Sequence, residues 1–330
     1  MSKIAIIGTG ISGLTCANYL KSMADVTLFE KARGVGGRMA TRRADPFCFD
    51  HGAQYFTANT IDFKRFIKPM LDNKVLVPWR GRFVEFRGDT IVKIHSSNYE
   101  DIHYIGTPGM NSMAKYLSEG LDIKLSTRIT SINKFDDLWQ LQSEGGGTYL
   151  GFDWVIITAP AKQTYELMPR QFKYYNERQD HLMTSCISVM LGLDTSLDLD
   201  FDCAKIFKSD IDLISVNSNK PDRKNRYSLL IQSAHRWADL HMNDSKDSIL
   251  THLCQETSQL LRKDVSKAVH KDVHFWRYAK GTKRQEASIL IDNNSKLAAC
   301  GDWCLDGSVE SAFTAALNVS SDIRNVLSNE

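Results

Sequence analysis

Three glycines near the start of the chain, Gly8, Gly10 and Gly13, follow the apolar run Lys3-Ile-Ala-Ile-Ile7 and precede a second run, Val26-Thr-Leu-Phe-Glu30, that ends in an acid. Each residue type suits a task. Gly8 permits a tight turn, Gly10 lets the backbone approach a pyrophosphate, and Gly13 lets a helix lie close to a strand. A helix over about residues 11–23, opened by Ile11 and Ser12, points its free N–H groups and positive dipole end at that anion. The Ser12 hydroxyl can reach the pyrophosphate or cap the helix. Glu30 closes the second strand, where a carboxylate accepts hydrogen bonds from a ribose diol. Strand, glycine turn, helix, strand and terminal acid together predict a dinucleotide-binding unit.

Two further segments separate NAD from FAD. In Arg33-Gly34-Val35-Gly36-Gly37-Arg38 the backbone amides of a glycine pair form an anion-binding concavity, and Arg38 reinforces it with a charge-assisted contact. In Leu297-Ala-Ala-Cys300-Gly301-Asp302-Trp303 a buried strand ends in Gly-Asp, and Gly307-Ser308-Val309 opens another helix. Asp302 can accept from a ribityl chain. The helix start near Val309 would face the flavin edge that becomes negative on reduction.

These segments, with Glu30-Lys31, Gly36-Gly37-Arg38-Met39 and Asp50-His-Gly52-Ala53-Gln54-Tyr55, resemble the FAD-binding half of the flavin amine oxidase superfamily. More narrowly, Gly106-Thr-Pro-Gly109, Val155-Ile-Ile-Thr-Ala-Pro160, Ser215-Val-Asn-Ser-Asn-Lys220 and Phe275-Trp276-Arg277-Tyr278 make the chain similar to the renalase family from end to end. The resemblance implies that Gln54 hydrogen-bonds the flavin ring, that Tyr55 walls it, and that Lys31, Gly37, Ala53, Ile129 and Ser308 join the cofactor-binding set. It implies noncovalent FAD as well, because the glycine-rich cysteine motif of covalent-flavin relatives is missing. The implied reaction takes a hydride from 2- or 6-dihydro isomers of NAD(P), with O2 reoxidising the flavin to give H2O2. A flavin-dependent amine oxidase or desaturase, and a non-catalytic FAD-binding redox or scaffold protein, are the alternatives.

The substrate side is less legible. Trp276 and Arg277 alternate on a strand, so only one of them can face a flavin cavity; Trp276 serves either the core or the substrate. His235, with Trp237 and His241, follows a strand near 227–233 and either enters the pocket mouth or is solvated. The Pro221–Arg226 run reads as a solvated turn or as an attractor of substrate phosphates. No metal-ligand triad stands out among the histidines, and Cys300-x-x-x-Cys304 lacks a second pair at zinc-site spacing.

The elements that must position these groups suggest an α/β fold: a Rossmann-type FAD-binding domain with a second domain built on a mostly antiparallel sheet, an architecture like that of p-hydroxybenzoate hydroxylase and the amine oxidases. Residues 1–60, 100–165 and 280–330 are expected to form the first, and 61–99 and 166–279 the second. Short runs at 121–125, 129–132, 138–141 and 149–152 read as a meander turned by Gly145-Gly-Gly147. The 330 residues suffice for two cores. A net charge of +2 gives no reason to expect nucleic acid or an anionic membrane as partner. No apolar run approaches the roughly 18 residues of a membrane span. Seven scattered cysteines and an N-terminus leading straight into a strand suggest a cytoplasmic protein without a removable signal. The expected partners are a small dinucleotide substrate and O2; the oligomeric state stays open.

Overall fold

A computed structural model of the chain describes residues 1–95, 102–176, 183–223, 226–282 and 289–329. The isoleucine-rich strand Lys3–Ile7 lies inside a six-stranded sheet, parallel to Asp25–Phe29 on one side and to Trp154–Ile157 on the other. Strands buried on both faces read as continuous apolar runs, and Trp154-Val-Ile-Ile157 is such a run. The Ile11–Leu20 helix follows the glycine turn and packs against the last helix, Val309–Asn329. It stops three residues before the expected end, where Met23 and Ala24 donate N–H groups to the Leu20 carbonyl in a turn.

The meander forms from Ile129–Phe135, Leu138–Ser143 and Thr148–Phe152. The run at 121–125, expected within it, does not join. Its central residues, Asp122–Lys124, instead extend the first sheet, pairing parallel to Asp25–Phe29 with Thr27 opposite Asp122.

The second sheet has seven strands, in the order His270–Gly281, Met183–Gly192, Ser228–Ser233, Ile211–Val216, Cys203–Phe207, Phe83–Arg87, Thr90–His95. All neighbours are antiparallel except Cys203–Phe207 and Phe83–Arg87, so the mostly antiparallel second sheet is present. Its two faces differ. Ile187, Val189 and Leu191 pack with Ile249 and Leu253 of the Lys246–Leu261 helix. The alternate residue Met190, with Leu230, packs against Phe47 and Phe49 of a hairpin, Thr41–Ala44 and Phe47–Asp50. That second face receives the 50–55 segment. Among the described residues no helix is long and apolar enough to cross a membrane.

Candidate functional site

Two glycine turns meet at the carboxyl end of the first sheet. Gly8 has φ +109°, a conformation that favours glycine. A Cβ on Gly13 would collide with the Gly8 carbonyl oxygen. Gly10 differs: its φ is ordinary, and nothing lies within 4 Å of where a Cβ would stand. It occupies the helix N-cap without any side-chain cap, leaving the first N–H groups of the helix free for an anion. The second turn abuts it. Gly36 N–H donates to the Thr9 carbonyl at 2.9 Å, and a Cβ on Gly37 would lie 3.4 Å from Gly10 Cα.

Glu30 is buried at the end of its strand. Its Oε2 accepts from Thr9 N (3.0 Å) and Thr9 Oγ1 (2.7 Å), and its Oε1 from Ala32 N (2.8 Å). Thr9 thus holds the carboxylate in place, a role the sequence hides because the residue between two glycines looks like filler. Ile129 is buried at the start of its strand, two residues beyond Thr127, whose N–H donates to the Glu30 carbonyl at 2.8 Å. Lys31 is exposed, its Nζ donating to Gln163 Oε1 at 2.9 Å. Ser12 does not cap the helix; its hydroxyl donates to the Ala312 carbonyl at 2.9 Å, fastening the first helix to the last.

At the opposite end Arg38 meets Asp302. The guanidinium donates to both carboxylate oxygens, with Nη1–Oδ2 at 2.8 Å, and to the Ala279 carbonyl at 3.1 Å. The arginine expected on a phosphate is therefore held by an acid expected on a ribityl chain. Next to this pair, Ala53 N–H donates to the Arg38 carbonyl at 2.9 Å, and a Cβ on Gly52 would collide with the same oxygen. The last helix starts at Val309, and Ser308 Oγ accepts from Ser311 N at 3.0 Å. Its first-turn acid, Glu310, accepts from Asn59 N (2.9 Å) and Thr60 N (2.6 Å), so the helix start is tied to the segment beyond Tyr55.

Behind Gln54 lies a charged cluster without solvent. Asp50, Lys220 and Arg223 have fully buried side chains, and Asp50 Oδ2 accepts from Lys220 Nζ at 3.2 Å and Arg223 Nη2 at 2.7 Å. Burial alone would raise the Asp50 pKa, but the two cations and their hydrogen bonds hold it down at about 2. Gln54 Nε2 donates to the Gly52 carbonyl at 2.9 Å and to the Asp50 carbonyl, while its Oε1 accepts from Lys220 Nζ at 3.1 Å. Both of its N–H donors are thus committed inside the protein rather than offered to a ring. Arg223 corrects the reading of Pro221–Arg226 as a solvated turn; it sits inside, also donating to the Gly106 carbonyl at 2.9 Å, and Lys224 and Asn225 lie outside the described residues.

Aromatic rings flank this cluster. Tyr55 lies against His103 (4.2 Å between centroids), Phe83 (5.6 Å) and Trp79 (6.2 Å). Burial pushes its phenol pKa well above the ordinary value. Trp276 Nε1 donates to the His51 carbonyl at 2.7 Å, and its ring stacks on the His51 imidazole at 5.2 Å and meets His274 edge-on at 4.2 Å. Burial lowers both histidines to pKa values of about 4, with the Arg42 charge adding to the effect, so both are neutral at neutral pH.

Arg277 and His235 are not brought to this face. Arg277 is exposed on the other side of its strand, donating to Asn243 Oδ1 at 3.2 Å. His235 opens the His235–His241 helix rather than a loop, and its Nδ1 lies 2.7 Å from the Ser185 carbonyl. Trp237 stacks between His241 (4.3 Å) and His252 (5.1 Å) on that same helical layer. The reason is alternation: Cys186 pairs with Trp276, so Ser185 and Arg277 point to the face that the helices cover.

Residues 85–324 match the family described as flavin containing amine oxidoreductase, and residues 6–70 match an NAD(P)-binding Rossmann-like domain. Renalase of Mus musculus is 22% identical over 345 aligned residues, covering 97% of this chain and 98% of that protein. A 4,4'-diapophytoene desaturase of Staphylococcus aureus (strain Newman) is 49% identical over 51 residues, which is 15% of this chain and 10% of the desaturase. The structure of wild-type putrescine oxidase bound to putrescine superposes with a TM-score of 0.71 at 14% identity, covering 98% of this chain and 99% of that one.

Proposed function

The chain belongs to the flavin containing amine oxidoreductase family, and from that membership we propose that it is an FAD-dependent oxidase acting on 2- or 6-dihydro isomers of NAD(P). The family implies a flavin, and the residues fit one: Gly10 borders open space at an uncapped helix start that the Gly36-Gly37 turn abuts, where a pyrophosphate has room. When bound, the flavin supplies the two-electron acceptor. Dihydro-NAD(P), O2 and a proton then give NAD(P)+ and H2O2, and rearomatisation of the pyridinium supplies the driving force.

The observation that carries the substrate reading is the end-to-end alignment with mouse renalase, which spans both lobes. The desaturase similarity covers only a 51-residue stretch, 15% of this chain. The chemistry of the second face agrees with it. Tyr55 and Trp276 supply half-buried aromatic rings suited to a flat heterocycle, and the imidazoles beside Trp276 are neutral. A donor that becomes aromatic on losing hydride needs no strong base. The protein's work is to orient the ring and exclude water.

Anaerobic mixing of the purified yellow protein with 2- or 6-dihydro-NAD(P), ordinary NADH or amines tests this. Rapid bleaching of the visible flavin band by the isomers alone is the expected result. Bleaching by amines alone would move the assignment to amine oxidation, and no bleaching by any of them to a non-catalytic role.

A further inference from the structure

Asp50 has one more cation than it needs. Its Oδ1 accepts from Thr41 Oγ1 at 2.8 Å and Met110 N at 3.0 Å, and its Oδ2 from Arg223 at 2.7 Å. Arg223 alone neutralises it. Lys220 adds a second buried basic group; burial lowers its pKa while Asp50 opposes that, and in its protonated form the three fully buried side chains carry +1. Arg223 Nε is buried without a hydrogen-bond partner, a further sign that the cluster is not closed on itself. A second buried cation costs desolvation beyond what one-for-one pairing with Asp50 requires, although it also helps to hold Asp50 ionised. Such surplus charge is useful where a negative charge comes and goes nearby.

The contacts of the Lys220 ammonium lead to the face described above. On one side it donates to Gln54 Oε1, and Gln54 Nε2 donates to the Gly52 carbonyl at 2.9 Å. Gly52 in turn abuts the Arg38 carbonyl, and a Cβ there would touch the Trp276 ring at 3.4 Å. On the other side the ammonium lies 5.3 Å over the Trp79 ring, which neighbours Tyr55.

We propose that Lys220 is a positioning charge for the bound flavin, a buried ammonium that favours the negatively charged reduced ring and so sets how readily the cofactor accepts electrons. The inference rests on the family's flavin occupying the face that Gly52, Tyr55 and Trp276 border. Asp50 keeps Arg223 as a partner when Lys220 is replaced.

The test uses the purified holoprotein and sulfite, whose binding places negative charge on an oxidised flavin. Lys220→Met weakens sulfite binding about tenfold and lowers the two-electron potential by the equivalent, about 30 mV. Lys220→Gln, which can keep hydrogen bonds to Asp50 and Gln54 but not the charge, gives the same loss, and Lys220→Arg restores the affinity to within about twofold. A yellow protein whose sulfite affinity and potential are unchanged in both neutral variants overturns the inference while leaving the flavin reading intact. So does wild-type affinity in Lys220→Gln alone, because hydrogen bonding rather than charge would then be the agent. A wild-type protein that retains no flavin overturns both.

Discussion

The Arg38 guanidinium clasps both oxygens of the Asp302 carboxylate, joining two turns that are 264 residues apart in sequence. Asp302 is almost wholly buried, whereas the Arg38 side chain is 30% exposed, so the pair has one edge open to a ligand. Arg38→Ala removes that edge and strands a buried carboxylate. We expect it to lower the flavin content of the purified protein more than Trp276→Ala does, since Trp276 touches His51 and His274 rather than the glycine turns. The ratio of flavin to protein absorbance reads this; equal ratios in the two variants would remove the division of roles. Loss of the charge-assisted bonds costs about 2 kcal/mol of stability, visible in urea titration.

Gly10 and Gly13 separate folding from binding. A Cβ on Gly13 collides with backbone, so Gly13→Ala destabilises by about 3 kcal/mol and lowers Tm whether or not cofactor is present. Gly10→Ala meets nothing within 4 Å and keeps an ordinary φ, so the flavin-free protein melts as the wild type does. Its flavin retention falls nonetheless if a pyrophosphate occupies that space. Wild-type retention in Gly10→Ala would remove the pyrophosphate from this turn.

The glycine turn was legible because its requirements are local: a positive φ, a close approach and an apolar strand are all written within about a dozen residues. Glu30 was legible for the same reason, although its anchor, Thr9, was not. The Asp122–Lys124 strand departs from the expected meander because parallel pairing is set by a partner nearly a hundred residues away, and its own pattern suits a meander equally well. Arg223 looked solvated because Pro, Asp and Lys surround it, yet its counter-charge stands 173 residues earlier. Arg277 and His235 sit on a strand and beside one whose inward face is decided by where two helices pack, and alternation alone gives two faces without naming them.

The proposed noncovalent attachment makes a chemical prediction. All seven cysteines are buried, and Cys16 and Cys300 face each other with their sulfurs 4.0 Å apart, away from solvent. Acid or heat denaturation therefore releases the yellow chromophore into the supernatant, where chromatography identifies it as FAD. Flavin fluorescence that stays with the denatured polypeptide would show a tether and exclude this arrangement.

Acid titrates the second face in two separate windows. His51 and His274 have pKa values of about 4 in the folded chain against an ordinary 6.5, because burial and Arg42 disfavour their charged forms. Between those values the unfolded chain binds more protons than the folded one, so stability rises with pH there and falls as pH drops from about 6.5 toward 4. Asp50 acts lower: held at about 2 against an ordinary 3.8, it contributes stability above 3.8 that is lost as pH falls through 2. Thermal melts should therefore show Tm declining first from pH 6.5 to 4, and then again below 3.8. His274→Asn removes one titrating group and leaves the His51–Trp276 stack in place, so it flattens the first decline and leaves the second unchanged. An undiminished slope between pH 6.5 and 4 in that variant would mean that His274 is already protonated in the native protein.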